Sequence, residues 1–475
     1  MDGGAAPPGA PAPYAERGQK ETHVETSERL AATWSAILPL GAERNGEGHL
    51  VVGGCDCVAL AREYGTPLYV YDEGTIRARC REYVAGMRAA YPDGLVIFAA
   101  KALGSPAIFQ IVAEEGLGLD VVSGGELYAA RRAGVPLERV YFHGNNKSPA
   151  ELAEALDAGV GRVVVDNFYE LRLLNELAQQ RGVRQRILLR VGPGVEAHTH
   201  DYRKTGILDS KFSLPIQTGD AERAVQEALA APGLELMGLH AHIGSQIFEL
   251  EPYAETVRIV LRFAAEMQAR HGLRVQEFSP GGGWGIAYTE ADDPPAYGEA
   301  AAMVGGTVRA EAARLGLPIA RITLEPGRSI VGQAGVALYT VGAIKDIPGV
   351  RRYAAVDGGM ADNIRPALYG AEYRALLANR ADAGPIERVT LAGKYCESGD
   401  VLIRDADLPA LQAGDLVALP ASGAYNLAMA SNYNLAPKPA AVLVADGQAR
   451  VIRRRQTYDD LLREECLLYS GLQRD

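Results

Sequence analysis

From Leu95 onward, short apolar runs alternate with longer Ala-, Leu-, Arg- and Glu-rich stretches whose apolar positions recur at helical spacing. The runs predict strands at Leu95–Ala102, Leu117–Val122, Val140–His143, Arg162–Asp166, Ile187–Val191, Leu236–His242, Glu277–Ser279 and Ile322–Glu325. Most intervening stretches are long enough for crossover helices, which makes the strands parallel. Eight such repeats predict an α/β fold, a (β/α)8 TIM barrel. An open doubly wound sheet shows the same alternation, because periodicity does not report closure. After residue 336 the rhythm changes. Val336–Ile344, Tyr353–Val356, Ile386–Leu391, Leu416–Leu419, Ala440–Val444 and Arg450–Arg453 read as strands with few long helical segments between them. That half predicts a C-terminal β-rich domain, a barrel or sandwich. A strand at Leu68–Tyr71, following a helix at Val58–Tyr64 and the turn signal Gly65-Thr66-Pro67, is expected to complete it.

The resulting division is an extension over 1–46, a segment at 47–72 joining the β domain, a barrel over 73–332 and the β domain over 333–475. Met1–Pro13, built from Met, Asp, Gly, Ala and Pro, cannot pack a core and is expected to be disordered; order is expected to begin near His49. A chain of 475 residues suits two domains. Its net charge of −11 argues against nucleic acid or an anionic membrane as the main partner. No apolar run approaches the ~20 residues that span a bilayer. With no hydrophobic core of a signal peptide, the expected location is the cytoplasm. The five cysteines are scattered and imply no disulfide framework. Cys55 and Cys57 lack a second pair or a nearby histidine, so no metal site is expected there.

In such a barrel the chemistry sits at the C-terminal strand ends. The first run, Val96-Ile97-Phe98-Ala99-Ala100-Lys101-Ala102-Leu103, holds one lysine among apolar residues. A buried lysine amine has a lowered pKa and attacks carbonyls; the plain alternative is a side chain that snorkels to solvent. Other strand ends carry Asp120, His143, His242, Gly244-Ser245, Gly281-Gly282-Gly283 and Glu325-Pro326-Gly327-Arg328. Consecutive glycines let backbone N–H groups approach an anion, although they also serve tight turns. Arg328 can add charge for a phosphate or carboxylate. Glu325 can keep a heterocyclic nitrogen protonated, and His242 can stack on a flat ring. A phosphate cradle, a carboxylate for a ring nitrogen and a lysine amine together describe pyridoxal 5'-phosphate held as a Schiff base.

The motifs Phe98-Ala99-Ala100-Lys101-Ala102, His143-Gly144-Asn145-Asn146-Lys147-Ser148, Gly238-Leu239-His240-Ala241-His242-Ile243-Gly244-Ser245-Gln246, Glu325-Pro326-Gly327-Arg328-Ser329, Asp357-Gly358-Gly359-Met360, Arg365-Pro366-Ala367-Leu368-Tyr369, Cys396-Glu397-Ser398-Gly399-Asp400 and Ser431-Asn432-Tyr433-Asn434 occur in one order. In this the chain, from about Gly65 to Val444, resembles the fold-type III pyridoxal-phosphate decarboxylases, whose fold is alanine-racemase-like. Within them it is most similar to the group acting on meso-diaminopimelate. The resemblance implies Lys101 as the Schiff-base lysine, His242 on the pyridine face and Glu325 at the pyridine nitrogen. It implies a phosphate site of Gly244, Ser245, Gly281, Gly282, Gly283 and Tyr425, with Gly327 and Arg328 beside it, and Asp120 orienting the lysine or cofactor. Cys396 is implied as the proton donor, reaching with Glu397 into the site of a neighbouring subunit. A homodimer with two composite sites follows, in which Lys147 pairs with Asp400 across the interface.

The resemblance also implies the substrate contacts. Arg365 and Tyr369 would meet the remote carboxylate of meso-diaminopimelate and Glu397 its remote ammonium, with Arg328 and Tyr425 also contacting the substrate. The implied product is L-lysine, from decarboxylation at the D-centre as the last step of lysine formation. Relatives acting on ornithine, lysine or arginine bind a cationic tail, which an arginine would repel; another amino acid as substrate, or a non-catalytic binding protein, are the alternatives. The chain departs from the family pattern at Ser279-Pro280, at Lys394-Tyr395 before Cys396 and at Ser213.

Overall fold

A computed structural model describes residues 28–29, 32–195 and 210–468. The eight barrel strands are Leu95–Ala99, Gly118–Val121, Val140–Phe142, Arg162–Val165, Gln185–Gly192, Leu234–His240, Glu277–Gly281 and Arg321–Leu324. Every neighbouring pair is parallel. The last strand pairs with the first, Thr323 opposite Leu95 and Leu324 opposite Val96. That pairing closes the barrel and excludes an open sheet. Such strands are continuous apolar runs because both faces are covered, by the barrel interior and by the outer helices. The helices carry local start signals. Ser148 caps Pro149–Ala158 in a reciprocal box with Glu151, and left-handed Gly159 ends it.

The first strand stops three residues short of the expected end. Ala100–Ala102 forms a 3-10 turn, so Lys101 stands just beyond the strand. The turn's alanines are buried, and apolarity alone cannot distinguish a buried turn from a buried strand.

The second domain is a mixed sheet. Its strand order runs Val401–Leu408, Glu387–Ala392, Arg351–Val356, Gly335–Ile347, Leu68–Asp72, Ala440–Ala445 and Gln448–Arg453, and Leu416–Leu419 also pairs with Gly335–Ile347. Leu68–Asp72 is antiparallel to one neighbour and parallel to the other, so the segment before the barrel is built into the sheet that follows it. Val401–Leu408 was not expected as a strand. It lies at the sheet edge, where Arg404, Asp405 and Asp407 break up the apolar pattern.

The packed chain begins before His49. Ile37 and Leu38 are buried, and Gln333 Nε2 donates to the carbonyls of Ser35 and Leu38. The disorder expected for Met1–Pro13 lies outside the described residues. Among those described, no helix is long and apolar enough to cross a membrane.

Candidate active site

Three backbone contacts pin the turn that carries Lys101. Ala99 N–H donates to the Pro326 carbonyl at 3.0 Å and Tyr425 N–H to the Ala102 carbonyl at 2.9 Å. Gly327 packs so closely that a Cβ there would lie 2.9 Å from the Ala99 Cβ. The turn is thus clamped between the last barrel strand and a loop of the β domain. Lys101 is not a buried lysine: its side chain is exposed, within reach of the charges of Asp120, Tyr425 and Glu325. Its pKa also runs opposite to expectation. Desolvation lowers it, but Asp120, Tyr425 and Glu325 outweigh that and hold the ammonium above its ordinary value. Burial pushes the Asp120 carboxyl up while Lys101 pulls it down.

Glu325, at the end of the eighth strand, is buried and fully engaged. His240 Nε2 donates to Oε2 at 3.0 Å and Ser279 Oγ to Oε1 at 2.8 Å. His143 Nε2 lies 3.6 Å from Oε1. Burial alone would raise this carboxyl, but His240, His143 and the two hydrogen bonds hold it well below the usual carboxylate range. A buried carboxylate held in its ionised form is what a protonated ring nitrogen requires.

The three glycines of the seventh strand end are dictated by close approach. A Cβ on Gly281, at φ +81°, would lie 2.7 Å from the Ala241 carbonyl; on Gly282 it would meet the Glu325 carbonyl at 1.9 Å. Gly282 N–H faces His242 Nδ1 at 3.4 Å. Burial, then the charges of Lys101 and Arg190, keep His242 well below its ordinary pKa, hence neutral.

Arg328 and Arg365 form a second cluster. Arg328 Nη1 donates to the Tyr288 hydroxyl at 2.6 Å and Nη2 to Ser245 Oγ at 3.0 Å. Its guanidinium also faces the Tyr425 ring at 4.7 Å. Arg365, 2% exposed, donates to the Tyr373 hydroxyl and lies 4.4 Å from the centre of the Tyr288 ring. Tyr369, half-buried, ends the short helix that Arg365 begins. Among the described residues, no carboxylate forms an ion pair with either arginine.

Among the described residues, several buried atoms at this barrel end have no hydrogen-bond partner: Asp120 Oδ1, His143 Nε2, His240 Nδ1 and Arg328 Nε. Polar groups left open in this way, beside a glycine cradle and an accessible lysine, fit a flat phosphorylated aldehyde with a basic ring nitrogen. The comparisons agree. A family model described as "Pyridoxal-dependent decarboxylase, pyridoxal binding domain" matches residues 73–332. The diaminopimelate decarboxylase of Bacillus subtilis (strain 168) is 47% identical over 431 residues, covering 91% of this chain and 98% of the relative. The chain belongs to the diaminopimelate decarboxylase family.

The structural relatives extend the match to both domains. The diaminopimelate decarboxylase of M. jannaschii, solved in co-complex with L-lysine, superposes with a TM-score of 0.83 at 33% identity, covering 89% of this chain and 97% of that one. The Helicobacter pylori family member complexed with L-lysine gives 0.78 at 32% identity, with coverages of 86% and 98%. Membership makes this chain a pyridoxal-phosphate-dependent amino-acid decarboxylase.

Two of the family motifs make no recorded contact with Lys101 or Glu325 or differ from expectation. Cys396 and Glu397 are exposed on the turn between Glu387–Ala392 and Val401–Leu408. Lys147 does not await a partner across an interface: its ammonium donates to Gly144 O, Val164 O and Glu170 Oε1 at 2.8, 2.9 and 2.7 Å. Those three bonds use all its protons. Asp400 instead accepts from the backbone of Met360 and Tyr395.

Sequence reasoning passed over Arg190, Ser279 as a ligand of Glu325, and Tyr288. Arg190 lies two residues before the end of the fifth strand, buried, 3.7 Å from Asp166 and stacked 4.4 Å from the Phe212 ring. The signal that singled out Lys101, one cation in an apolar run, applies to it equally. Tyr288 is one tyrosine among 22 and carries no such signal.

Proposed function

We propose that this site decarboxylates meso-2,6-diaminopimelate at its D-centre, giving L-lysine and CO2 as the last step of lysine formation. The observation that carries the reading is the pair of buried arginines, Arg328 and Arg365, bonded to tyrosine and serine hydroxyls with no carboxylate partner among the described residues. Buried cations need compensation. A ligand with a carboxylate remote from the reacting carbon supplies it, whereas the cationic tail of ornithine, lysine or arginine is repelled. The relatives solved with L-lysine support this, because L-lysine retains that remote carboxylate.

Bound at this barrel end, pyridoxal phosphate would supply a carbonyl for the substrate amine and an electron sink for decarboxylation. Lys101 is the amine that anchors it, with Asp120 orienting the ammonium. Gly244, Ser245, Gly281, Gly282, Gly283, Gly327 and Tyr425 hold the phosphate beside Arg328. Neutral His242 covers the ring face without adding charge. Ionised Glu325 keeps a proton on the ring nitrogen. Arg365 and Tyr369 take the remote carboxylate, and Arg328, between it and the phosphate, contacts it as well. Cys396, as proton donor, and Glu397, facing the remote ammonium, act in the site of a second copy, so the working unit is a cytoplasmic homodimer.

The test is CO2 release from meso-diaminopimelate, ornithine, lysine and arginine. Turnover of the first alone is expected. Arg365→Ala should raise KM for it about 10- to 100-fold, the worth of a hydrogen bond to a charged group, with the cofactor absorbance intact. Preference for ornithine would overturn the reading.

A further inference from the structure

Tyr288 stands between the two buried guanidinium groups. It lies in the loop after the seventh barrel strand, beyond the bridge joining Trp284 to Ile247. Its hydroxyl accepts from Arg328 Nη1 at 2.6 Å, and its ring centre lies 5.9 Å from that guanidinium and 4.4 Å from the guanidinium of Arg365. Tyr373 meets the Tyr288 ring edge-on with centroids 5.4 Å apart, and its hydroxyl takes the Arg365 hydrogen bond. Tyr373 is held in turn by Asn426, whose Oδ1 lies 3.3 Å from the phenol oxygen.

Like charges repel, and two buried cations facing one ligand drift apart unless something attracts both. A neutral tyrosine does so by two routes: its oxygen accepts from one guanidinium, and its negative π-face attracts the other. Tyr288 does this without adding a carboxylate that would compete with the ligand. Arg365 also packs beside the Tyr373 ring, 5.5 Å from its guanidinium, so that two touching rings and the Tyr373 hydroxyl hold it. Its planar fork is therefore set before a ligand arrives. An arginine left to order itself on binding gives up roughly tenfold in affinity.

We infer that Tyr288 is a positioning residue for specificity: it holds Arg328 and Arg365 as one anion-binding pair, and so makes the site select ligands with a carboxylate remote from the reacting carbon. The inference rests on the proposed role of Arg365 as the carboxylate clamp.

L-lysine and cadaverine differ by that single carboxylate, so the ratio of their affinities reads the clamp directly. Calorimetry on the pyridoxal-phosphate-loaded enzyme should show wild type preferring L-lysine. Tyr288→Phe keeps the ring and loses the acceptor, and should cut the preference about tenfold. Tyr288→Leu loses both and should cut it further, with cadaverine affinity unchanged in each. A preference intact in the variants overturns the role of Tyr288, and so does an equal loss for both ligands, which marks a merely structural residue. Tyr288→Phe preserves packing and decides the matter alone if Tyr288→Leu fails to fold. No preference in the wild type overturns the clamp itself and Tyr288 with it.

Discussion

Lys147→Met separates an ion pair inside the barrel from one between subunits. Lys147 and Glu170 side chains are each 1% exposed. The substitution leaves Glu170 with one remaining donor, the Asp166 N–H at 3.1 Å, and strips the Gly144 and Val164 carbonyls of theirs. Removing one partner of a buried pair costs about 3–5 kcal/mol. For a barrel of this size that corresponds to a fall of about 6–20 °C in Tm. Glu170→Gln in the same chain should recover part of it, since no unpaired charge remains and the new amide can donate to the vacated carbonyls. The loss also depends on pH. Burial raises the Glu170 carboxyl even with Lys147 opposing; without Lys147 its folded pKa rises further above the unfolded value. The folded variant then binds the extra proton, so its stability falls as pH rises through that folded pKa, and its deficit shrinks on acidification. Urea unfolding across pH, with sedimentation for the subunit equilibrium, is the assay. Unchanged unfolding with weakened association would refute the intrachain pair and restore Asp400 as the partner.

Substitutions at two further positions test the packing around Glu325. Gly282→Ala drives a methyl to 1.9 Å from the Glu325 carbonyl, backbone that cannot step aside. It should cost about 1–3 kcal/mol or more and empty the enzyme of cofactor; unchanged Tm and cofactor content would refute that packing. Ser279→Ala takes one donor from buried Glu325 and should cost about 1.5–3 kcal/mol, whereas Ser279→Thr keeps the hydroxyl. Equal urea midpoints for the two variants would show that the bond does not matter.

Much of the molecule was legible along the chain because its signals are local. Buried parallel strands are continuous apolar runs, so all eight barrel strands showed themselves to within a few residues. Lys101 and Glu325 stood out as charges among apolar neighbours, and Gly281–Gly283 as a run whose bare backbone invites an anion. Where the pattern failed, solvent or tertiary packing had overridden it: Val401–Leu408 is a strand whose edge position admits charge, and Ala100–Ala102 is a turn as apolar as the strand before it.

What residue order by itself determined is which chemical groups are present and which strand end each follows: an amine, a carboxylate, a glycine cradle and two arginines. Only the tertiary structure decided how they act on one another. Pairing of the first two barrel strands brings Asp120 close enough to keep Lys101 charged, and folding of the whole barrel sets His240, His143 and Ser279 around Glu325 to keep it ionised. It gives Lys147 a partner 23 residues away in its own chain. It also places Tyr288, unremarkable in the sequence, between Arg328 and Arg365. Charge interactions depend on distance and on exclusion of water, and neither exists until the chain has closed on itself.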